Sequence, residues 1–102
     1  MMNQQQLVQQ ARKLQAQLAK IQEDLGSETV VGSAGSGAVA ITLTGHGGIV
    51  AVKIDRAAVD PDDVETLEDL VTVAFKDAQA KAQELSRARM GPLAGGLGIP
   101  GL

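Results

Sequence analysis

The chain has no cysteine, no tryptophan and no tyrosine, and a single phenylalanine among its 102 residues. Without cysteine there is no disulfide and no thiolate chemistry, which fits a reducing compartment such as the cytoplasm. One aromatic side chain makes no platform on which successive single-stranded bases could stack. One histidine, His46, with no second His or Cys beside it, gives no transition-metal ligand set. No apolar run approaches the roughly 20 residues needed to span a bilayer, so no membrane partner is expected. Met1 to Gln6 are polar, which predicts no signal peptide. No nucleophile, general base and oxyanion donor can be assembled from the inventory, so neither an enzyme nor a cofactor is expected.

Acid is missing from one region in particular. Residues 1–22 hold Arg12, Lys13 and Lys20 and no Asp or Glu, a local charge of +3. Residues 23–75 set Lys53 and Arg56 against ten acids, for −8, and residues 76–102 return to +2 with Lys76, Lys81, Arg87 and Arg89 against Asp77 and Glu84. The net charge of −3 therefore hides two basic ends around an acidic middle. Local patches of this kind decide binding more than the total does.

What is present is strongly patterned, within a length that suits one small domain. Leu7, Ala11, Leu14, Leu18, Ile21 and Leu25 recur at heptad spacing, the narrow stripe of a helix that lies along another helix. The stripe predicts a helix from Asn3, its N-cap, to Leu25, with Gly26 as the C′ glycine. A core so poor in bulky residues buries little surface, so a stripe left wet in one copy is best covered by a second, and a homodimer is expected. The same six residues are the candidate dimer interface, although packing within one chain would produce an identical pattern.

Three short strands follow. Glu28–Val31 is β-branched, and Gly32–Gly37 is a turn-rich connector. In Ala38–Thr44, Val39, Ile41 and Leu43 alternate with smaller or polar residues. Gly45-His46-Gly47-Gly48 forms a tight turn, and Ile49–Asp55 places Val50, Val52 and Ile54 inward. Short connections favour an antiparallel three-stranded meander. A second helix is announced by Asp60 as N-cap, Pro61 at N1 and the acids Asp62 and Asp63. Its broad apolar set runs to Leu85, and Met90-Gly91-Pro92 should end it. The fold class is α+β, ordered α-β-β-β-α, with a domain over 1–91 and a Gly/Pro-rich tail over 92–102.

If the two long helices pack antiparallel, the start of the first and the end of the second share one distal tip. Arg12 and Lys13 would then approach Lys81, Arg87 and Arg89, while the acids gather at the sheet end. Such a tip suits a polyanion, whose phosphates its Lys and Arg would bind, with Lys20 and Lys76 assisting. Solvated helix faces with pairs such as Lys81–Asp77 or Lys20 with Glu23 or Asp24 are the ordinary alternative. The amides Gln4, Gln5, Gln6, Gln9, Gln10, Gln15 and Gln17 can reach adenine edges or phosphates by hydrogen bonding, but such residues are more often good neutral helix formers. Gly45–Gly48 lacks the Lys-Ser/Thr of a phosphate loop, His46 has no catalytic partner, and Asp60, Asp62 and Asp63 suit capping better than a cation.

Several segments stand in a telling order: the Gln-, Leu- and Lys-rich first helix, the Gly-rich connector before Ala38-Val39-Ala40-Ile41-Thr42, the Gly45–Gly48 turn, and Val52-Lys53-Ile54-Asp55. Leu67-Glu68-Asp69-Leu70-Val71, Ala74-Phe75-Lys76-Asp77-Ala78 and Met90-Gly91 with Gly95-Gly96-Leu97 complete the series. In that order and spacing they resemble the YbaB/EbfC family of bacterial nucleoid-associated proteins. The resemblance spans nearly the whole chain, and the amide-rich first helix is its main departure. It implies a tweezer-shaped homodimer in the cytoplasm and nucleoid that binds double-stranded DNA through protruding helices. It also points to recombination proteins as partners, since such proteins are often encoded beside a recombination mediator. A protein–protein adaptor working with that machinery is the alternative function.

Overall fold

The computed structural model describes residues 3–97, with side chains as far as Leu93. Its elements run α1 (Gln4–Ser27), β1 (Thr29–Ala34), β2 (Val39–Thr44), β3 (Ile49–Ile54), a single 3-10 turn at Arg56–Ala58, and α2 (Val64–Leu97). This is the expected α-β-β-β-α order. The sheet is antiparallel in the order β1-β2-β3.

Asn3 caps α1 through a reciprocal box. Its Oδ1 accepts the Gln6 N–H at 2.8 Å, and its own N–H donates to Gln6 Oε1 at 3.0 Å. The helix does not stop at Leu25. Gly26 stays helical, and Glu28 closes the helix in extended conformation with its N–H on the Asp24 carbonyl at 2.9 Å. A left-handed glycine is unnecessary because other donors take the last carbonyls. The Gly45 N–H reaches Leu25 O at 2.9 Å, and Ser27 Oγ donates to Asp24 O at 3.0 Å.

β1 begins and ends later than its β-branched run predicts. Gly32 and Ser33, expected in the connector, are strand residues paired with Ile41 and Ala40. The cause is tertiary: α2 lies directly on Gly32, where a Cβ would fall 2.6 Å from Ala78 Cα and closer still to Ala78 N and Ala74 O. Gly35, Ser36 and Gly37, all at positive φ, make the turn instead.

The core is the α2-facing side of β1 and β2. Val39, Ile41 and Leu43 are buried there as their alternation predicts, with Ala34, Ala74 and Ala78. The expected inward set of β3 is not buried. Val50, Val52 and Ile54 are 56%, 48% and 40% exposed, and Ile49 is 63% exposed. Ile54 and Val52 pair with Val39 and Ile41, so they share the core face of the sheet. The reason is width. A helix is about 10 Å across and strands lie about 4.8 Å apart, so α2 seated over β1 and β2 leaves β3 uncovered.

Two expectations for α2 are corrected. Asp60 does not cap the helix: its Oδ1 accepts the Asp62 N–H at 2.9 Å, and its carbonyl accepts the Asp63 N–H at 2.9 Å. That turn uses Pro61 at its second position, and capping passes to Asp63. Asp63 accepts the Thr66 hydroxyl at 2.6 Å and the Thr66 N–H at 3.3 Å, and these bonds hold its carboxyl below the ordinary 3.8. At the other end, α2 passes through Gly91 and Pro92 to Leu97. Gly91 lacks the Cβ that the following proline ring would strike, which removes part of the penalty. Residues 98–102 of the expected tail lie outside the described residues.

Candidate nucleic-acid interface

α1 and α2 run antiparallel. A cleft of about 460 Å³ near the sheet is lined by Gln22 and Leu25 of α1 and by Ala82 and Ser86 of α2. Farther from the sheet, Leu7, Ala11 and Leu14 face Leu93 across a second groove. Descending numbers on α1 thus match ascending numbers on α2. Within the heptad stripe Leu25 is fully buried in its own chain, Leu14, Leu18 and Ile21 are half-buried, and Leu7 and Ala11 are exposed. The stripe is intramolecular at its foot and open at its tip.

Arg12 and Lys13 sit on the open half of α1, at the level reached by the end of α2. Lys20 follows toward the sheet, and Lys76 is exposed on α2. None of these four forms an ion pair with another described residue, including the Lys20 pairs with Glu23 or Asp24. Arg87 pairs loosely with Glu84 at 3.6 Å, both side chains being widely exposed. Such a pair adds little stability and yields readily to a phosphate.

Lys81 and Arg89 are differently employed. Lys81 Nζ lies 3.2 Å from Asp77 Oδ2 and donates to the Val31 carbonyl at 2.9 Å. Asp77 in turn accepts the Ser33 N–H at 3.0 Å. That backbone bond, and then the lysine, hold the Asp77 carboxyl below its ordinary value. Arg89 donates through Nε to Glu28 Oε2 at 3.2 Å and through Nη2 to Glu28 Oε1. Glu28 lies at the foot of α1, about 24 Å of helical rise from Arg12. The structure therefore brings Arg12 and Lys13 to the same end as the close of α2, and directs Lys81 and Arg89 to the sheet end.

His46 and its glycines form a latch. The Gly45 N–H reaches Leu25 O and Glu28 O, and His46 Nε2 lies 2.7 Å from Gln22 O. The turn grips the last turns of α1. Among the described residues no group of three or more His, Cys, Asp or Glu is placed to hold a metal ion. Among the described residues no helix is long and apolar enough to cross a membrane.

α1 thus carries Arg12, Lys13 and Lys20 exposed and without carboxylate partners among the described residues. The profile of the YbaB/EbfC DNA-binding family matches residues 1–97. The chain belongs to the YbaB/EbfC family. It is 52% identical over 100 residues to a nucleoid-associated protein of Roseiflexus sp. (strain RS-1), covering 98% of this chain and 99% of that one. A nucleoid-associated protein of Rhodococcus opacus (strain B4) is 50% identical over 100 residues, covering 95% and 88%. A crystal structure of an uncharacterized Helicobacter pylori protein superposes with a TM-score of 0.80 at 18% identity, over 91% of this chain and 98% of that one. That likeness concerns the fold. The YbaB/EbfC family is a DNA-binding family and not an enzyme family.

One surface of this YbaB/EbfC chain escapes sequence reasoning as a functional element. The exposed aliphatic strip Ile49, Val50, Val52 and Ile54 continues the core face of the sheet beyond its partners Val39, Ile41 and Leu43. Its alternation marks an apolar face. Only the position of α2 shows that no other described element covers it.

Proposed function

We propose that the chain is a cytoplasmic, nucleoid-located homodimer that binds double-stranded DNA with little sequence specificity. The observation that supports this is the acid-free outer half of α1, which carries Arg12 and Lys13, with Lys20 below, all exposed and free of carboxylate partners among the described residues. Phosphates are the natural partners of such cations. Arg87, held only by an exposed pair, and Lys76 extend the basic surface, while Lys81 and Arg89 serve mainly to hold the fold. Affinity rests on the charges of α1 meeting phosphates rather than on base edges, its exposed glutamines serving chiefly as neutral helix formers.

The second copy is best placed on the β3 strip. Three aliphatic residues in alternation plus Ile49 form a continuous apolar surface of the kind that marks association. The outer edge of β1 is closed by Asp77 and Lys81, whereas β3 has no neighbour among the described strands on its outer side. Pairing through β3 leaves each α1 projecting away from the dimer centre.

Titration of a fluorescent duplex in increasing salt tests the DNA reading. Binding at about 50 mM salt should weaken with a slope near −0.9 per neutralised phosphate. Arg12→Glu with Lys13→Glu should abolish it. Absence of any complex at about 50 mM salt and micromolar protein sinks the reading, as does binding that ignores the double substitution.

A further inference from the structure

The groove at the open end of the α1–α2 pair is not explained by DNA binding. Leu7, Ala11 and Leu14 on one wall and Leu93 on the other enclose about 470 Å³, with Gln10, Lys13 and Gln17 at the margins. Phosphates have no use for aliphatic walls. Leu7 is 51% exposed, and Val8 beside it is 45% exposed.

We infer that this groove is a docking site for an amphipathic helix with acidic flanks, supplied by a partner protein. Three observations select that occupant. The wall residues Leu7, Ala11 and Leu14 recur at heptad spacing, which receives a helix as knobs into holes. Its border is cationic and amide, with Lys13 at the margin and no acid between Asn3 and Gln22, so the complementary helix carries Glu or Asp beside its apolar stripe. A second copy of the same tip is disfavoured, because it would set Arg12 and Lys13 against their own counterparts. Because Lys13 both borders the groove and belongs to the basic surface, a docked acidic helix and DNA compete for it. The docking stands independently of the DNA reading, and only the competition rests on it.

The probe is a labelled helical peptide of about three heptads with Leu along its stripe and Glu at the flanks. It is measured by fluorescence anisotropy against the full chain, beside a Lys-flanked peptide and a scrambled one. The Glu-flanked peptide should bind in the micromolar range and weaken from about 50 to about 200 mM salt, and neither control should bind. Leu14→Ser should weaken it at least about tenfold, the size of one buried aliphatic contact. Lys13→Glu should weaken the Glu-flanked peptide and admit the Lys-flanked one. Unlabelled duplex should displace the peptide.

No binding, equal binding of the two flanked peptides, or indifference to Leu14→Ser overturns the inference. A Leu14→Ser chain whose circular dichroism is native but whose mass is halved also overturns it, because the groove is then a contact between copies. Peptide binding without any DNA binding leaves the docking intact and removes the proposed function instead. Both ligands bound without displacement removes the shared-surface claim.

Discussion

Asp77, on α2, accepts the backbone N–H of Ser33 on the outer edge of β1, and Lys81 one turn later donates to the Val31 carbonyl on the same edge. Two side chains of a helix thus imitate the next strand. An exposed sheet edge invites pairing with other chains, and this one is closed by its own helix. Among the described strands the open edge and the open face both belong to β3, where the proposed second copy would pair.

The lowered Asp77 pKa sets a pH dependence. A carboxylate whose folded pKa lies below its unfolded value stabilises the fold fully above about 3.8, and that stabilisation disappears as pH falls through the folded pKa. Asp63 contributes with the same sign. Asp77→Asn should melt at a lower temperature than the parent near pH 6, and the two melting curves should converge below pH 3.8. A gap unchanged across that range would show that the charge on Asp77 is not what matters.

Gly32→Ala tests the helix–sheet contact. The added methyl meets the backbone of Ala74 and Ala78, which cannot give way as a flexible side chain could. A loss of about 2–3 kcal/mol is expected from urea unfolding. Gly37→Ala, with open space around the missing Cβ but φ of +92°, should cost less, through backbone strain alone.

Val52→Asp addresses the proposed dimer. Val52 is exposed in the single chain, so the charge should leave the subunit folded and split the pair. Light scattering should report half the parent mass, with helical circular dichroism retained. An unchanged mass moves the interface away from β3.

Arg89→Ala separates a fold-holding cation from a DNA-binding one. The Arg89–Glu28 pair is partly exposed, and its loss should cost about 0.5–1 kcal/mol. The salt slope of DNA binding should stay near its parent value, whereas Arg12→Ala should lower it by about one phosphate. A drop in slope for Arg89→Ala equal to that for Arg12→Ala would return Arg89 to the DNA surface.

Locally encoded features are legible in the order of residues. Asn3 and Gln6 make the first cap with atoms three residues apart. The alternation of Val39, Ile41 and Leu43 marks the central strand, because a strand with one buried face repeats every second residue. The cationic stretch around Arg12 and Lys13 is equally plain. Asp60 reads as the cap of α2 although Asp63 performs that role, because acids stand on both sides of Pro61 and each fits the local rule. Met90-Gly91-Pro92 reads as a helix end because glycine and proline usually mark one, although the same glycine lacks the Cβ that the proline ring would strike.

Periodicity and charge order along the chain are enough to establish the α-β-β-β-α succession and the basic character of the outer first helix, since both depend on neighbours a few residues apart. Tertiary structure alone decided that Arg89 would reach Glu28, that Gly32 would be a strand residue, and that the β3 strip would stay open. Those outcomes depend on where α2 comes to rest. A rod about 10 Å wide can cover two strands of a three-stranded sheet, and the order of residues does not say which two.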